Sequence, residues 1–360
     1  MNLINGLLRA HLRNMTPYAS ARRSMNVGKI WLNANENPYG KAWQVNTEFL
    51  NRYPNFQSLD LNAAYAQYAG VDVSEVMSHR GSDEAIDILI RAFCEPGEDK
   101  IMICPPTYGM YAISAQLNNN DVVKVPLVAE NSEWTLDLAA MQDALNQVKI
   151  VFLCNPSNPL GNTLPPAQVR EVLEFTKERC LVVVDEAYIE YADCASATEL
   201  LANYPHLIVT RTLSKAFGLA GIRVGFTLAN ADIIQALVPV LAPYPLPDLS
   251  IQIAQQALRA EALIEMRQAV IETQGERARL ITALETYAWV QSIFPSVTNF
   301  VLAAVEDAES VMAHLIADGI LIRNQSSQLN LPNCIRFTIG SPAENQAVIE
   351  SLNRYSGVAL

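Results

Sequence analysis

The chain reads as an α/β protein. The expected large domain has a mainly parallel seven-stranded sheet covered by helices, and a smaller α+β domain follows it. Three observations carry this expectation. Between residues 58 and 228, short apolar runs alternate with longer helical segments, as strand–helix–strand units of a parallel sheet do. Runs such as Leu181-Val182-Val183-Val184 are uninterrupted and β-branched, which suits strands buried on both faces. The cluster Ala242-Pro243-Tyr244-Pro245-Leu246-Pro247 then breaks the pattern. The expected division is an N-terminal arm at 1–29, a large domain at 30–245 and a small domain at 246–360.

In chain order, residues 2–12 suit a short amphipathic helix, and an irregular arm follows to Arg23. Asn33-Ala34-Asn35-Glu36-Asn37-Pro38-Tyr39-Gly40 is dense in turn formers and reads first as an exposed loop. A helix is expected to end at Tyr53-Pro54. Strands are expected at 76–79, 100–104, 122–126, 150–154, 181–185, 207–210 and 224–228. Between them fall helices at 59–69, 85–93, 108–117, 136–146 and 166–179. Beyond the prolines, 249–286 is strongly helical. Strand-like segments at 289–293, 300–305, 320–323 and 335–338 then mix with helices near 309–318 and 344–355.

Composition narrows the function. Half of the 360 residues are hydrophobic, so a large core can form. A net charge of -12 argues against a broad nucleic-acid or anionic-membrane surface. Anionic ligands would need a few local arginines. The 6 cysteines include no C-x-x-C pair and the 4 histidines show no ligand spacing, so no metal site is expected. Cysteines within apolar runs point to a reducing compartment. No secretory signal and no long apolar run is visible, so a cytoplasmic location is expected.

The chemistry is concentrated at the expected strand exits, where doubly wound sheets bind ligands. Within Arg211-Thr212-Leu213-Ser214-Lys215-Ala216-Phe217-Gly218, a lysine sits among small and apolar residues. Burial lowers an amine's proton affinity, which suits Lys215 to attack an aldehyde. Taken alone, such a lysine is ordinarily a surface residue in a turn. Ser214 and Arg223 are donors for a phosphate. Gly81-Ser82-Asp83-Glu84 opens a helix and can offer amides to a second side of that phosphate, or merely cap the helix.

Tyr108 follows Pro105-Pro106-Thr107 and could stack on a flat heterocycle or pack the core. Asn158, in Asn155-Pro156-Ser157-Asn158-Pro159-Leu160-Gly161, could bond a phenolate or simply form the turn. Asp185 ends an aliphatic strand, where a carboxylate is costly without a partner. A protonated pyridine nitrogen would serve, as would a helix cap or Mg²⁺. Together these groups suggest pyridoxal phosphate.

This set of motifs resembles the fold-type I pyridoxal-phosphate aminotransferases, and within them the histidinol-phosphate aminotransferase family. The resemblance extends over nearly the whole chain. It implies that Lys215 carries the cofactor and moves the proton, and that Asp185 keeps the ring nitrogen protonated. It also implies that Asn158 and Tyr188 bond the phenolic oxygen and that Tyr108 stacks on the ring. Ser82, Asp83, Ser214 and Arg223 would surround the phosphate, and Tyr53 would reach the neighbouring subunit's phosphate in a homodimer. Arg336 and Arg323, with Tyr18 and Asn158, would hold the substrates. The family commonly has Thr where this chain has Leu160, which puts local turn contacts in question.

The implied activity converts L-histidinol phosphate and 2-oxoglutarate to imidazole-acetol phosphate and L-glutamate, in histidine biosynthesis. An aromatic aminotransferase or a threonine-phosphate decarboxylase would share the cofactor site. A non-catalytic sensor module on this fold is a third reading, against which Lys215 stands.

Overall fold

The β-branched runs fold as strands because both of their faces are covered. In the computed structural model, which describes residues 3–13, 15–16, 27–130 and 133–355, they supply most of the first ten strands. These are β1 (Ile30–Trp31), β2 (Val76–His79), β3 (Lys100–Ile103), β4 (Asp121–Lys124), β5 (Val128–Glu130), β6 (Glu133–Thr135), β7 (Val148–Cys154), β8 (Leu181–Asp185), β9 (Leu207–Thr212) and β10 (Gly225–Ala229). Seven of them form the main sheet in the order β2-β10-β9-β8-β7-β3-β4. β10 runs antiparallel to β2 and β9, and the other neighbours are parallel.

Alternate residues of each strand enter different cores. Val182, Val184, Leu153 and Val209 belong to one, and Val183, Phe152 and Ile208 to the other. Each such side chain contributes about 1.5–3 kcal/mol on burial. The parallel strands send their carboxyl ends to one edge of the sheet, and the loops carrying the candidate residues leave from there.

The smaller unit holds β11 (Val290–Ile293), β12 (Phe300–Val305), β13 (Ile320–Leu321), β14 (Arg323–Asn324) and β15 (Cys334–Thr338). Its antiparallel sheet has the order β11-β12-β15-β14 and packs with the helices Ala260–Leu284, Ala308–Ala317 and Pro342–Leu352. Ser341 and Glu344 form a capping box at the start of the last helix. The segment after the arm joins this unit: β1 pairs parallel with β13, and Leu32 lies in the smaller unit's core. Asn35 and Asn158 therefore approach each other from opposite sides of the cleft between the units.

Several expectations are corrected. The helix expected to end at Tyr53-Pro54 is absent among the described residues, where residues 48–51 form a turn. The expected helix at 249–286 is two helices, Asp248–Ala257 and Ala260–Leu284, parted at Leu258-Arg259. The helix expected at 2–12 is a helix at Leu3–Leu7 and a separate 3₁₀ turn at Ala10–Leu12. The segment expected as a strand at 320–323 divides between β13 and β14, which pair with different partners. The hairpin of β5 and β6 carries no two-residue turn signal and was not expected.

Asn33 and Asn35 are buried at 0% and 1% exposure, so the expected exposed loop is interior. The Asn35 backbone and side chain bond Thr338 and Tyr188, and the Asn33 carbonyl accepts from Arg336, so these bonds cross the cleft. Among the described residues, no helix is long and apolar enough to cross a membrane, and no acidic, His or Cys cluster could hold a metal. All 6 cysteines are free, and only Cys194 is not fully buried.

Candidate active site

Lys215 follows β9 at the floor of a cavity of about 680 Å³ between the two units. Its Nζ donates to the Ala34 carbonyl at 2.9 Å and lies 5.6 Å from the centre of the Tyr188 ring. Burial, with Arg336 nearby, pushes its amine down to about 8. The amine therefore reaches its neutral, nucleophilic form at much lower pH than an exposed lysine, with about a tenth neutral at pH 7. The turn that carries it rests on a buried pair: Arg211 Nε donates to Glu186 Oε2 at 2.9 Å, tying the end of β9 to that of β8.

Asp185 ends β8 and is buried at 3% exposure. Burial raises its carboxyl to about 6, against the hydroxyl of Tyr111, which donates to Oδ2 at 2.8 Å. The Ala187 N–H donates to Oδ1 at 3.2 Å. Beside it, the Tyr188 hydroxyl accepts from Asn35 Nδ2 at 2.9 Å and from Asn158 Nδ2 at 3.4 Å. Asn158 Oδ1 in turn accepts from Arg336 Nη1 at 2.5 Å, while Arg336 Nη2 donates to the Asn33 carbonyl at 3.1 Å. The guanidinium also lies over Phe300, 5.2 Å from the ring centre. Arg336 is thus a buried cation aimed into the cleft, and Arg323 lines the same cavity.

The opposite corner is built from β2, β9 and β10. Gly81 has φ +71, which lets the chain leave β2 and start the helix Gly81–Phe93 with its first amides facing the cavity. The His79 ring braces this turn, 2.9 Å from both the Gly81 carbonyl and Thr227 Oγ1. Burial lowers that imidazole to about 4, so it is neutral. Arg223 crosses the corner, with Nη1 3.3 Å from Ser214 Oγ and Nη2 3.5 Å from Asp83 Oδ2. Asp83 Oδ1 accepts from the Tyr108 hydroxyl at 2.8 Å, which fixes that ring at the mouth.

The structure brings Ser82, Asp83, Tyr108, Asn158, Asp185, Tyr188, Ser214, Lys215, Arg223, Arg323 and Arg336 around one cavity. It does not bring Tyr53 there. That residue is 79% exposed and stacks on Tyr244 with ring centres 4.3 Å apart. Tyr18 lies outside the described residues. Leu160 is buried at 1% and packs in the large core. Sequence reasoning missed Tyr111, Asn35 as a donor to Tyr188, and the brace by His79. Only Tyr111 left a trace, three residues after Tyr108 within the helix expected at 108–117.

Residues 27–352 match the family model for aminotransferase class I and II. The chain belongs to that family. This aminotransferase is 53% identical over 357 residues to histidinol-phosphate aminotransferase 2 of Idiomarina loihiensis, covering 99% of each chain. It is 47% identical to the histidinol-phosphate aminotransferase of Yersinia pseudotuberculosis, over 99% of this chain and 93% of that one. Among solved structures, the Sinorhizobium meliloti histidinol-phosphate aminotransferase in complex with pyridoxal-5'-phosphate superposes with a TM-score of 0.84 at 24% identity, over 96% of each chain. The L-threonine-O-3-phosphate decarboxylase of Porphyromonas gingivalis superposes at 0.73 with 22% identity, over 86% of this chain and 91% of that one. At these identities the structural matches establish the fold alone.

The aminotransferase's cofactor is pyridoxal phosphate, and the residues present fit it. Asp185 is a buried carboxylate held by neutral donors, which leaves it suited to a cationic ring nitrogen. At the phosphate corner, a Cβ on Gly225 would lie 2.6 Å from the Gly81 carbonyl carbon. Only glycine lets the turn approach this closely.

Proposed function

We propose that this enzyme transfers the amino group of L-histidinol phosphate to 2-oxoglutarate, giving imidazole-acetol phosphate and L-glutamate in two alternating half-reactions. The observation that supports it most is Arg336, a buried guanidinium linked through Asn158 to the Lys215–Asp185–Tyr188 group. It provides one anion anchor for two substrates, a phosphate in one half-reaction and a carboxylate in the other. The names of the full-length relatives point the same way.

In this reading pyridoxal phosphate supplies an aldehyde and an electron-withdrawing ring. Ser82, Asp83, Ser214 and Arg223 hold its phosphate end, and Tyr108 covers one ring face. Asp185 keeps the proton on the ring nitrogen. Asn158 and Tyr188 hold the phenolic oxygen. Lys215, released from the Ala34 carbonyl, takes the proton from the substrate's Cα and returns it on the cofactor side. Arg323 and Arg336 fix the substrate so that the Cα–H faces Lys215. Tyr18 would join these arginines in binding the substrate.

The proposed organisation is an arm at 1–29, a large domain at 30–245 and a small domain at 246–360, working as a cytoplasmic homodimer. Exposed Phe49, Leu50, Tyr53 and Tyr244 support the dimer, in which Tyr53 serves the partner's phosphate.

The test is single-turnover spectroscopy of the cofactor-loaded protein, with L-histidinol phosphate, L-tyrosine and L-threonine phosphate offered separately. Fast conversion to the amine form of the cofactor with histidinol phosphate is expected. Preference for tyrosine, or release of CO₂ from threonine phosphate, would replace this substrate with a sibling activity.

A further inference from the structure

We propose that Tyr111 is a positioning residue whose hydroxyl holds Asp185 as a carboxylate, and so keeps the shared proton on the cofactor's ring nitrogen. The inference rests on the cofactor assignment and not on the identity of the amino donor.

Tyr111 sits on the helix Met110–Leu117 at 0% exposure. Its ring stacks on Phe152 at 4.8 Å and 14°, and Tyr108 meets it edge-on at 5.7 Å and 85°. Packed on two sides, the ring carries its hydroxyl to one place, 2.8 Å from Asp185 Oδ2. Phenylalanine would fill the same volume. A hydroxyl in such a core is costly without a partner, and here its partner is the carboxylate that faces the cofactor site.

Burial keeps the phenol protonated well above its ordinary range, so Tyr111 only donates. Among the described residues no lysine, arginine or histidine forms an ion pair with Asp185. Its donors are the Tyr111 hydroxyl and the Ala187 amide, and the Thr210 hydroxyl beside it also favours the ionised form. The other ionisable groups around it are Asp83 from the helix after β2, Cys154 at the end of β7 and Tyr188. None of these offers a positive charge.

A ring nitrogen and a carboxylate that share one proton divide it by their relative basicity. Removing the Tyr111 hydroxyl makes Asp185 the stronger base. The proton then moves from the ring nitrogen to Asp185 Oδ2, leaving a neutral pyridine beside a neutral acid. The neutral ring withdraws electrons less well. The donated hydrogen bond thus reaches the chemistry through Asp185, with Tyr111 touching no reacting atom.

The experiment compares the full-length protein with Tyr111→Phe in two readouts that need no turnover. The first is the ¹⁵N resonance of ring-labelled pyridoxal phosphate bound to each protein. It should move toward the unprotonated-pyridine position in the variant. The second is the acid limb of cofactor binding to the apoprotein, which should shift upward by about one pH unit because Asp185 loses a donor. The amino-transfer half-reaction should slow by about ten- to a hundredfold with KM little changed.

Unchanged resonance and an unchanged acid limb would reduce Tyr111 to core packing and overturn the proposal. Should the variant fail to accumulate, 3-fluorotyrosine placed at position 111 keeps the ring and strengthens the donor. The acid limb should then move downward, and no movement would overturn the proposal equally. If the unaltered protein binds no pyridoxal phosphate, the cofactor assignment fails instead.

Discussion

Replacing Gly225 with alanine tests whether the phosphate corner is built by close backbone approach. Gly225 opens β10 between His79 and Thr212. An alanine Cβ would sit 2.6 Å from the Gly81 carbonyl carbon, 2.7 Å from the Ser82 nitrogen and 2.8 Å from Gly81 Cα. All three are backbone atoms, so no side chain can swing away. Reaching the 3.4 Å at which ordinary contact begins requires about 0.8 Å of movement in a turn that His79 also braces.

Overpacking of this kind costs about 1–3 kcal/mol of stability. In the proposed reading the displaced amides face the phosphate, so weakening one or two charge-assisted hydrogen bonds should loosen cofactor binding about ten- to a hundredfold. Urea unfolding of the apoprotein reads the first effect, and titration with pyridoxal phosphate reads the second. Inorganic phosphate should compete less well in the variant. Native cofactor affinity with an unchanged unfolding midpoint would refute the close-approach argument.

Four further outcomes follow from the site. Asp185→Asn should stabilise the apoprotein at pH 7–8 by of order 1–3 kcal/mol while abolishing amino transfer. The folded carboxyl titrates near 6, above its ordinary value, so its ionised form carries a penalty that builds between about pH 4 and 6 and is full above 6. Thermal melts from pH 4 to 8 would show the gap opening between about pH 4 and 6 and level above that, and a gap constant over the whole range would count against it. Reductive methylation of Lys215 in the apoprotein should be half-maximal near pH 8, because the amine is lowered to about 8 and is neutral above it. A midpoint near 10 would contradict that burial. Arg336→Lys should raise KM for both substrates by about tenfold or more and leave cofactor affinity alone, since an ammonium cannot span Asn158 and a substrate anion together. Mixing Lys215→Ala with Tyr53→Ala subunits should give hybrids containing one site intact at both positions, detectable as recovered activity. No recovery would place Tyr53 outside the site.

The legible parts of the fold were those fixed by local pattern. Val182 to Val184 declare a strand buried on both faces because no polar residue interrupts them. Ser214-Lys215 and Asp185 declare chemistry because both are polar groups set directly after apolar strands. The order β2-β10-β9-β8 was not legible, since β10 joins antiparallel through a crossover whose partner lies about 150 residues away in sequence. The burial of Asn33 and Asn35 was hidden for a related reason. Their composition says loop, and only the closing of β15 over them, through Thr338 and Arg336, makes that loop interior. Tyr111 carries no motif of its own, and its hydroxyl acquires meaning only once β8 delivers Asp185 beside it.

These features have a common physical origin in the ligand the cleft is shaped to hold. Lys215 is pushed down and Asp185 is pushed up, so between about pH 6 and 8 each favours its charged form while burial disfavours that form. Their mutual attraction does not relieve this through direct contact, because Lys215 bonds the Ala34 carbonyl and Asp185 bonds Tyr111 and Ala187. A direct ion pair would be the cheaper arrangement for the empty fold, and it would occupy the space of the ring. The sheet prevents that pairing by placing the two residues at the ends of adjacent strands with their neutral partners built in. In the proposed reading, bound pyridoxal phosphate would offer Asp185 a proton donor and Lys215 an aldehyde, so one ligand would offset both of those costs. Each replacement that lightens one of those costs in the empty protein should therefore weaken the ligand's hold, which is how a stabilising mutation such as Asp185→Asn comes to be an inactivating one.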